Sequence, residues 1–240
     1  ELQKSQQEIV KNFLSQGESY INLFKPDFYM PFAGRYALAG QKSILEKRRA
    51  KIELEDALDY FLNSSIIDHD SQNGIILNQD SIFDITSGKS NQKYIPIDKE
   101  KKNNYIETEL SKRKYDYETD EYPKIDDFVK LIPKCYERFE SKRNQLNFSS
   151  DTNVLIHLPE NKMLLLHPNK SPFEVVPQNN IEKFDKFLLI KTDYRLLLRL
   201  MRGPKYAHWN NAEIGSHLEF SRKPNIYERG LFYCLNFFHS

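Results

Sequence analysis

The chain has 240 residues, 39% of them hydrophobic, enough to bury a substantial core in one large or two small domains, and two are expected. Its 35 basic side chains meet 34 acidic ones, a formal net charge of +1, so no field of one sign exists to draw in nucleic acid or anionic lipid. It contains neither an apolar run approaching the ~18 residues of a membrane span nor a basic, then apolar, leader, and a cytoplasmic protein is expected, with no membrane and no nucleic-acid partner.

Residues 8 to 24 place Ile9, Val10, Phe13, Leu14, Tyr20, Ile21 and Phe24 at helical intervals, until Lys25-Pro26-Asp27 breaks the pattern. The chain opens at Glu1 without a methionine and already inside this pattern, which reads as a cut from a longer protein. Phe28 to Phe32 is a continuous apolar run of strand length ending in Ala33-Gly34, the profile of a buried strand entering a loop. Helical spacing returns from Gln41 to Arg49 and again through Ile52, Leu54, Ala57, Leu58, Phe61 and Leu62; its basic run reads as a solvated face. Asn73-Gly74 marks a turn, and Ile75 to Leu77 with Ser81 to Ile85 predicts a hairpin.

From Lys89 to Tyr122 the chain is dense in Lys, Asn, Glu, Asp and Tyr with little apolar periodicity, an exposed connector or a loosely docked helix. The domains are therefore placed at 1–65, a hairpin and connector at 66–122, and 123–240. Ile125 to Phe148 resumes helical spacing, with Pro133 predicting a kink or a break into two helices. Strands are expected at Val154 to Leu158, Met163 to His167, Phe173 to Val176 and Phe187 to Ile190, with Pro159 to Lys162 and Pro168 to Ser171 as turns. Thr192 or Asp193 is positioned to cap a helix from Tyr194 to Met201, which Gly203-Pro204 stops, and a last helix is expected from about Asn225 to Phe238. The order is that of an α+β chain.

The six histidines, His69, His157, His167, His208, His217 and His239, form no HxH, HExxH or HxxxH pair with carboxylates at ligand spacing, so no metal ligand is assigned in this chain. His157 and His167, at the ends of apolar strands, read as structural. Cys135 and Cys234 lie in apolar stretches without a CxxC pair and read as reduced, buried thiols. No GxSxG elbow, P-loop or GxGxxG occurs.

The densest unusual segment runs from His208 to His217. It sets the single tryptophan, Trp209, beside His208, Asn210, Asn211 and Glu213. A rigid ring with one donor and two amides suits the grip of a polar ligand in a cleft; equally, the segment reads as a capped loop with Trp209 plugging an interface. Arg222 and Tyr227 follow a strand end, where Arg222 either binds an anionic group or pairs with Glu219 or Glu228.

Two stretches carry a resemblance. Lys25-Pro26-Asp27-Phe28-Tyr29-Met30-Pro31-Phe32-Ala33-Gly34 resembles the last core strand of metallo-β-lactamase-fold proteins, in the branch that includes CMP-N-acetylneuraminate hydroxylase. His208 through Gly215 with Arg222, Pro224, Ile226 and Tyr227 is similar to that branch's C-terminal end. Together they cover about 70 residues at the two ends of the chain. The resemblance implies the end of an αββα sandwich followed by a small α+β domain. It also implies that an upstream metallo-β-lactamase-like segment, as partner, holds an HxHxDH cluster with zinc or iron. Where many relatives carry a ligand histidine after the strand, Phe32-Ala33-Gly34-Arg35 stands here as the active-site loop. His208, Trp209, Asn210, Asn211, Arg222 and Tyr227 are then the substrate-binding residues for a sugar nucleotide or another small anionic, polyhydroxylated metabolite. Residues 125 to 240 also look like the sterol carrier protein type two fold in their element order. That gives a second expectation, a binding module or homodimerisation domain carrying an aromatic C-terminal helix.

Overall fold

A computed structural model describes residues 1–32, 36–68, 73–168 and 173–240. The chain is mixed α+β and divides into two compact units, Glu1–Arg113 and Lys114–Ser240. The division falls inside the polar stretch 89–122. Among the described residues, no helix is long and apolar enough to cross a membrane.

In the first unit, α1 (Leu2–Phe24) ends at Lys25, which turns left-handed (φ 43°) before Pro26. Its Ile21 and Leu14 pack on Ala57 and Phe61 of α2 (Leu54–Leu62), with Ile67 completing a small core. Gly17 lets these helices approach: a Cβ there would stand 2.7 Å from Phe61 Cζ. The basic segment forms a tight 3-10 helix, Gly40–Arg48, not an α-helix. Its Glu46 turns inward, accepting the Leu38 N–H at 3.0 Å and pairing with Lys51 and Arg49. Burial works to raise this carboxyl, but Lys51, the Leu38 N–H and Arg49 outweigh it and hold Glu46 below the usual range.

Two expectations in this unit are corrected. Phe28 to Phe32 forms no strand: only Tyr29 makes a ladder contact, a parallel bridge to Gly74, and Phe32 is 76% exposed. An apolar run becomes a strand only when a neighbour supplies a ladder, and among the described residues the segment at Asn73–Ile75 supplies only this one bridge. The hairpin lies further on, β1 (Phe83–Asp84) pairing with β2 (Lys89–Ser90). Asp84 builds its turn, accepting from the Thr86 N–H and the Ser87 hydroxyl, and Gly88 takes φ +67°. The polar stretch holds α3 (Lys99–Thr108), capped by Asp98, with Ile106 its buried residue.

The second unit opens with α4 (Ile125–Val129) and α5 (Ile132–Gln145); Pro133 sits in the first turn of α5, where its missing N–H costs nothing. A five-stranded sheet follows in the order β5-β4-β3-β6-β7: β3 (Asn153–Leu158), β4 (Lys162–Leu166), β5 (Glu174–Pro177), β6 (Phe187–Lys191) and β7 (Glu219–Lys223). β3 and β4 form a hairpin whose Glu160 and Asn161 both take positive φ (58° and 53°). β3 and β6 run parallel, and β7 pairs antiparallel with β6.

The two-residue period sorts this sheet. Val154, Ile156, Leu158, Leu164, Leu166, Leu188 and Ile190 face the helices, where Phe128, Ile132, Phe139 and Phe238 fill the core. Leu155, Met163, Leu165 and Leu189 face the other way, toward Ile181 and Phe184. Burying each such leucine stabilises the fold by roughly 2 kcal/mol. Asp193, not Thr192, caps α6 (Tyr194–Arg202), its carboxylate accepting the Arg195 N–H at 2.9 Å.

Residues 208–217 are not a loop. Trp209–Ile214 is a short helix, α7, capped by His208 Nδ1, which accepts the Asn210 N–H at 3.2 Å. Six residues are too few to carry a helical period, so only packing reveals the element. The last helix, α8 (Arg229–Leu235), is shorter than expected because residues 224–228 stay non-helical after Pro224.

Candidate functional site

The turn of α7 divides its side chains. Trp209 and Ala212 point into the core, while Asn210 and Glu213, three residues apart, share the opposite side. There they meet Tyr227, Arg229, Tyr233 and Asn236 around an open cleft of about 460 Å³. Arg222 arrives from the adjoining strand. Pairing Leu188 with Arg222 and Ile190 with Phe220 places Phe220 and Arg222 on the helix-covered face of the sheet. The Arg222 guanidinium stands over the Tyr227 ring, 5.9 Å from its centroid, and Tyr227 in turn lies 4.5 Å from Phe232.

Burial raises the Glu213 carboxyl above the usual range, with Arg222 opposing the shift. Burial, then the Glu213 charge, raises the Tyr227 hydroxyl. The cleft therefore sets an acid with a raised carboxyl beside two phenols, two amides and the Arg229 guanidinium, with Arg222 standing over Tyr227 at its side.

The expected site residues separate as follows. Asn210 and Tyr227 line the cleft, Arg222 stands over Tyr227, and His208 serves as the cap of α7. Trp209 is 3% exposed and its indole N–H donates to the Phe238 carbonyl at 2.9 Å, so it is a core plug and not a cleft wall. Asn211 is exposed and does not line the cleft. Phe32 belongs to the first unit; Ala33, Gly34 and Arg35 lie outside the described residues. The sequence names Glu213 only as part of its segment and not as a site residue, and it points to neither Arg229 nor Asn236. The one available signal was that Glu213 follows Asn210 at i, i+3, which requires knowing that the segment is helical.

Among the described residues, no three His, Cys, Asp or Glu side chains group as a metal site. His167 pairs with Glu174 at 3.0 Å. Cys135 and Cys234 are buried free thiols; burial pushes Cys135 up to about 12, which leaves no thiolate at neutral pH. A separate aromatic cluster joins Tyr117 Oη to His217 Nδ1 at 3.0 Å, with the Tyr115 ring 4.6 Å from the imidazole. Compared with protein-family models, curated proteins and solved structures, the chain matches none.

Proposed function

We propose that the chain is the substrate-orienting, C-terminal part of a metal-dependent metallo-β-lactamase-fold enzyme acting on a sugar nucleotide or another anionic, polyhydroxylated metabolite. The observation that carries this reading is the convergence of Tyr227, Asn210, Glu213 and Arg229 on one open cleft, with Arg222 beside it over the Tyr227 ring. A guanidinium suits a phosphate or carboxylate, while the amides, the phenol and the Glu213 carboxyl offer the donors and acceptors that vicinal hydroxyls require. Among the described residues no His, Cys, Asp or Glu cluster fits a zinc or iron ion; in this reading the metal belongs to the upstream segment that the resemblance implies.

The first unit supports the same reading. Phe13, Met30 and Phe32 are 60%, 41% and 76% exposed, and with Tyr29, Ile52 and Phe61 they border an apolar groove of about 340 Å³. A sheet segment packed there gives this surface the cover it lacks. The second unit runs α4 and α5, three antiparallel strands, a fourth strand parallel to the first of them, α6 and α7, an antiparallel edge strand and α8, which adds α7 to the order on which the sterol-carrier-like resemblance rests.

The other reading is a module that binds an apolar ligand between sheet and helices. Phe128, Ile132, Phe139 and Phe238 already fill that space, all at most 1% exposed. An apolar guest has to displace them, which makes the cleft reading the better supported.

The test is a ligand titration followed by NMR. Sugar acids and sugar nucleotides are expected to shift resonances of Asn210, Glu213 and Tyr227, and Arg222→Gln to abolish those shifts. Shifts confined to the buried sheet face on adding a fatty acid favour the second reading instead.

A further inference from the structure

A second cleft lies at the C-terminal end of α6. Arg195, Arg199 and Arg202 stand at i, i+4 and i+7, and Lys205 follows Gly203-Pro204. All four line a hollow of about 640 Å³ that Tyr122 and Tyr206 also border. Arg199 and Arg202 stand in the last turn of α6, where the dipole favours cations; Arg195 stands in its first turn and Lys205 beyond its end, so the dipole does not account for all four facing one hollow.

The charge census decides what is left over. Arg199 holds Asp120 through Nε and Nη2 at 2.5 and 2.7 Å. Arg195 holds Asp193 through Nε and Nη2 at 3.0 and 2.7 Å and donates to the Glu118 carbonyl. Asp127, another lining residue, is bound by Lys130 at 2.8 Å. Glu121 is an exposed carboxylate on the same lining. Arg202 and Lys205 are exposed and make no ion pair or side-chain hydrogen bond among the described residues. The Asp120 and Asp127 carboxyls are held below the usual range, first by their hydrogen bonds to Arg199 and Lys130, with Arg202 adding to both.

We propose that this cleft binds a small, multiply charged anion, pyrophosphate or a phosphorylated metabolite, gripped by the Arg202 fork and the Lys205 ammonium. Arg199, already fixed by Asp120, gives that grip a rigid neighbour, and Tyr122 and Tyr206, 66% and 53% exposed, wall the space around an attached group. The site shares no lining residue with the cleft of Glu213 and Tyr227.

Titration calorimetry of inorganic pyrophosphate into the full chain at low ionic strength tests it. The expected result is one saturable site that weakens as salt rises. The R202Q/K205Q double variant is expected to lose at least tenfold in affinity, and Arg202→Lys, which keeps the charge, to lose less. Lys134→Gln is expected to change nothing, because that exposed cation of α5 lines neither cleft. Absence of saturable binding, undiminished binding by R202Q/K205Q, or an equal loss in Lys134→Gln overturns the proposal.

Discussion

The indole N–H of Trp209 donates to the backbone carbonyl of Phe238 at 2.9 Å, and the two rings meet edge to face with centroids 6.3 Å apart. A single side chain thus ties α7 to the C-terminal turn. Trp209→Ala removes both the bond and the ring, and is expected to cost about 3–5 kcal/mol in denaturant unfolding. Binding at the neighbouring cleft, per folded molecule, should persist. A variant that melts like the parent chain rules out the plug.

Glu213 is a half-buried acid whose carboxyl is raised, so the folded state holds its proton more tightly than the unfolded state does. The stabilisation from that proton is complete below the ordinary glutamate range and is lost as pH rises through the raised value. Glu213→Gln keeps the shape and discards the ionisation. Relative to the parent chain, its melting temperature should be most favourable at pH 7 and lose that advantage toward pH 4. A constant difference across this range contradicts the assignment.

The Arg222 and Tyr227 pair makes a claim about ligands. Arg222→Gln is expected to weaken binding of a sugar acid by about tenfold, roughly 1.4 kcal/mol. Tyr227→Phe keeps the ring beneath the guanidinium and should lose less. Fluorescence anisotropy with a labelled sugar acid measures both, and equal affinities across the three proteins remove Arg222 from the site.

On the far face of the sheet, His157 Nε2 is buried without a hydrogen-bond partner among the described residues. Burial, and then Lys191, holds this imidazole below the ordinary histidine range. Its neutral form contributes stability that is present above the ordinary range and lost as pH falls through the depressed value. His157→Leu should therefore stabilise by about 1 kcal/mol at pH 7, and its advantage should grow at pH 5. Urea unfolding at the two pH values reads this directly; a variant weaker at both identifies a partner for the ring.

Much of the second unit was legible because its signals are local. The near-continuous apolar runs Val154–Leu158 and Met163–Leu166, the cap at Asp193, the stop at Gly203 and the break at Pro133 each act within a few residues, where composition and backbone sterics suffice. The first unit was less legible. Phe28 to Phe32 has strand composition but no ladder, and strand formation depends on a neighbour that composition does not name.

The sequence by itself determined the α+β class, the helix and strand order of residues 125–202, and the segment that carries Asn210, Arg222 and Tyr227. Only the tertiary structure decided which way those side chains face. Trp209 and Asn210 are adjacent in the chain, yet the turn of α7 buries one and turns the other to the cleft, and the register of β7 with β6 sets Arg222 on the helix-covered face of the sheet. Direction along a six-residue helix and register between strands follow from packing across the fold, and no local pattern in the chain encodes either.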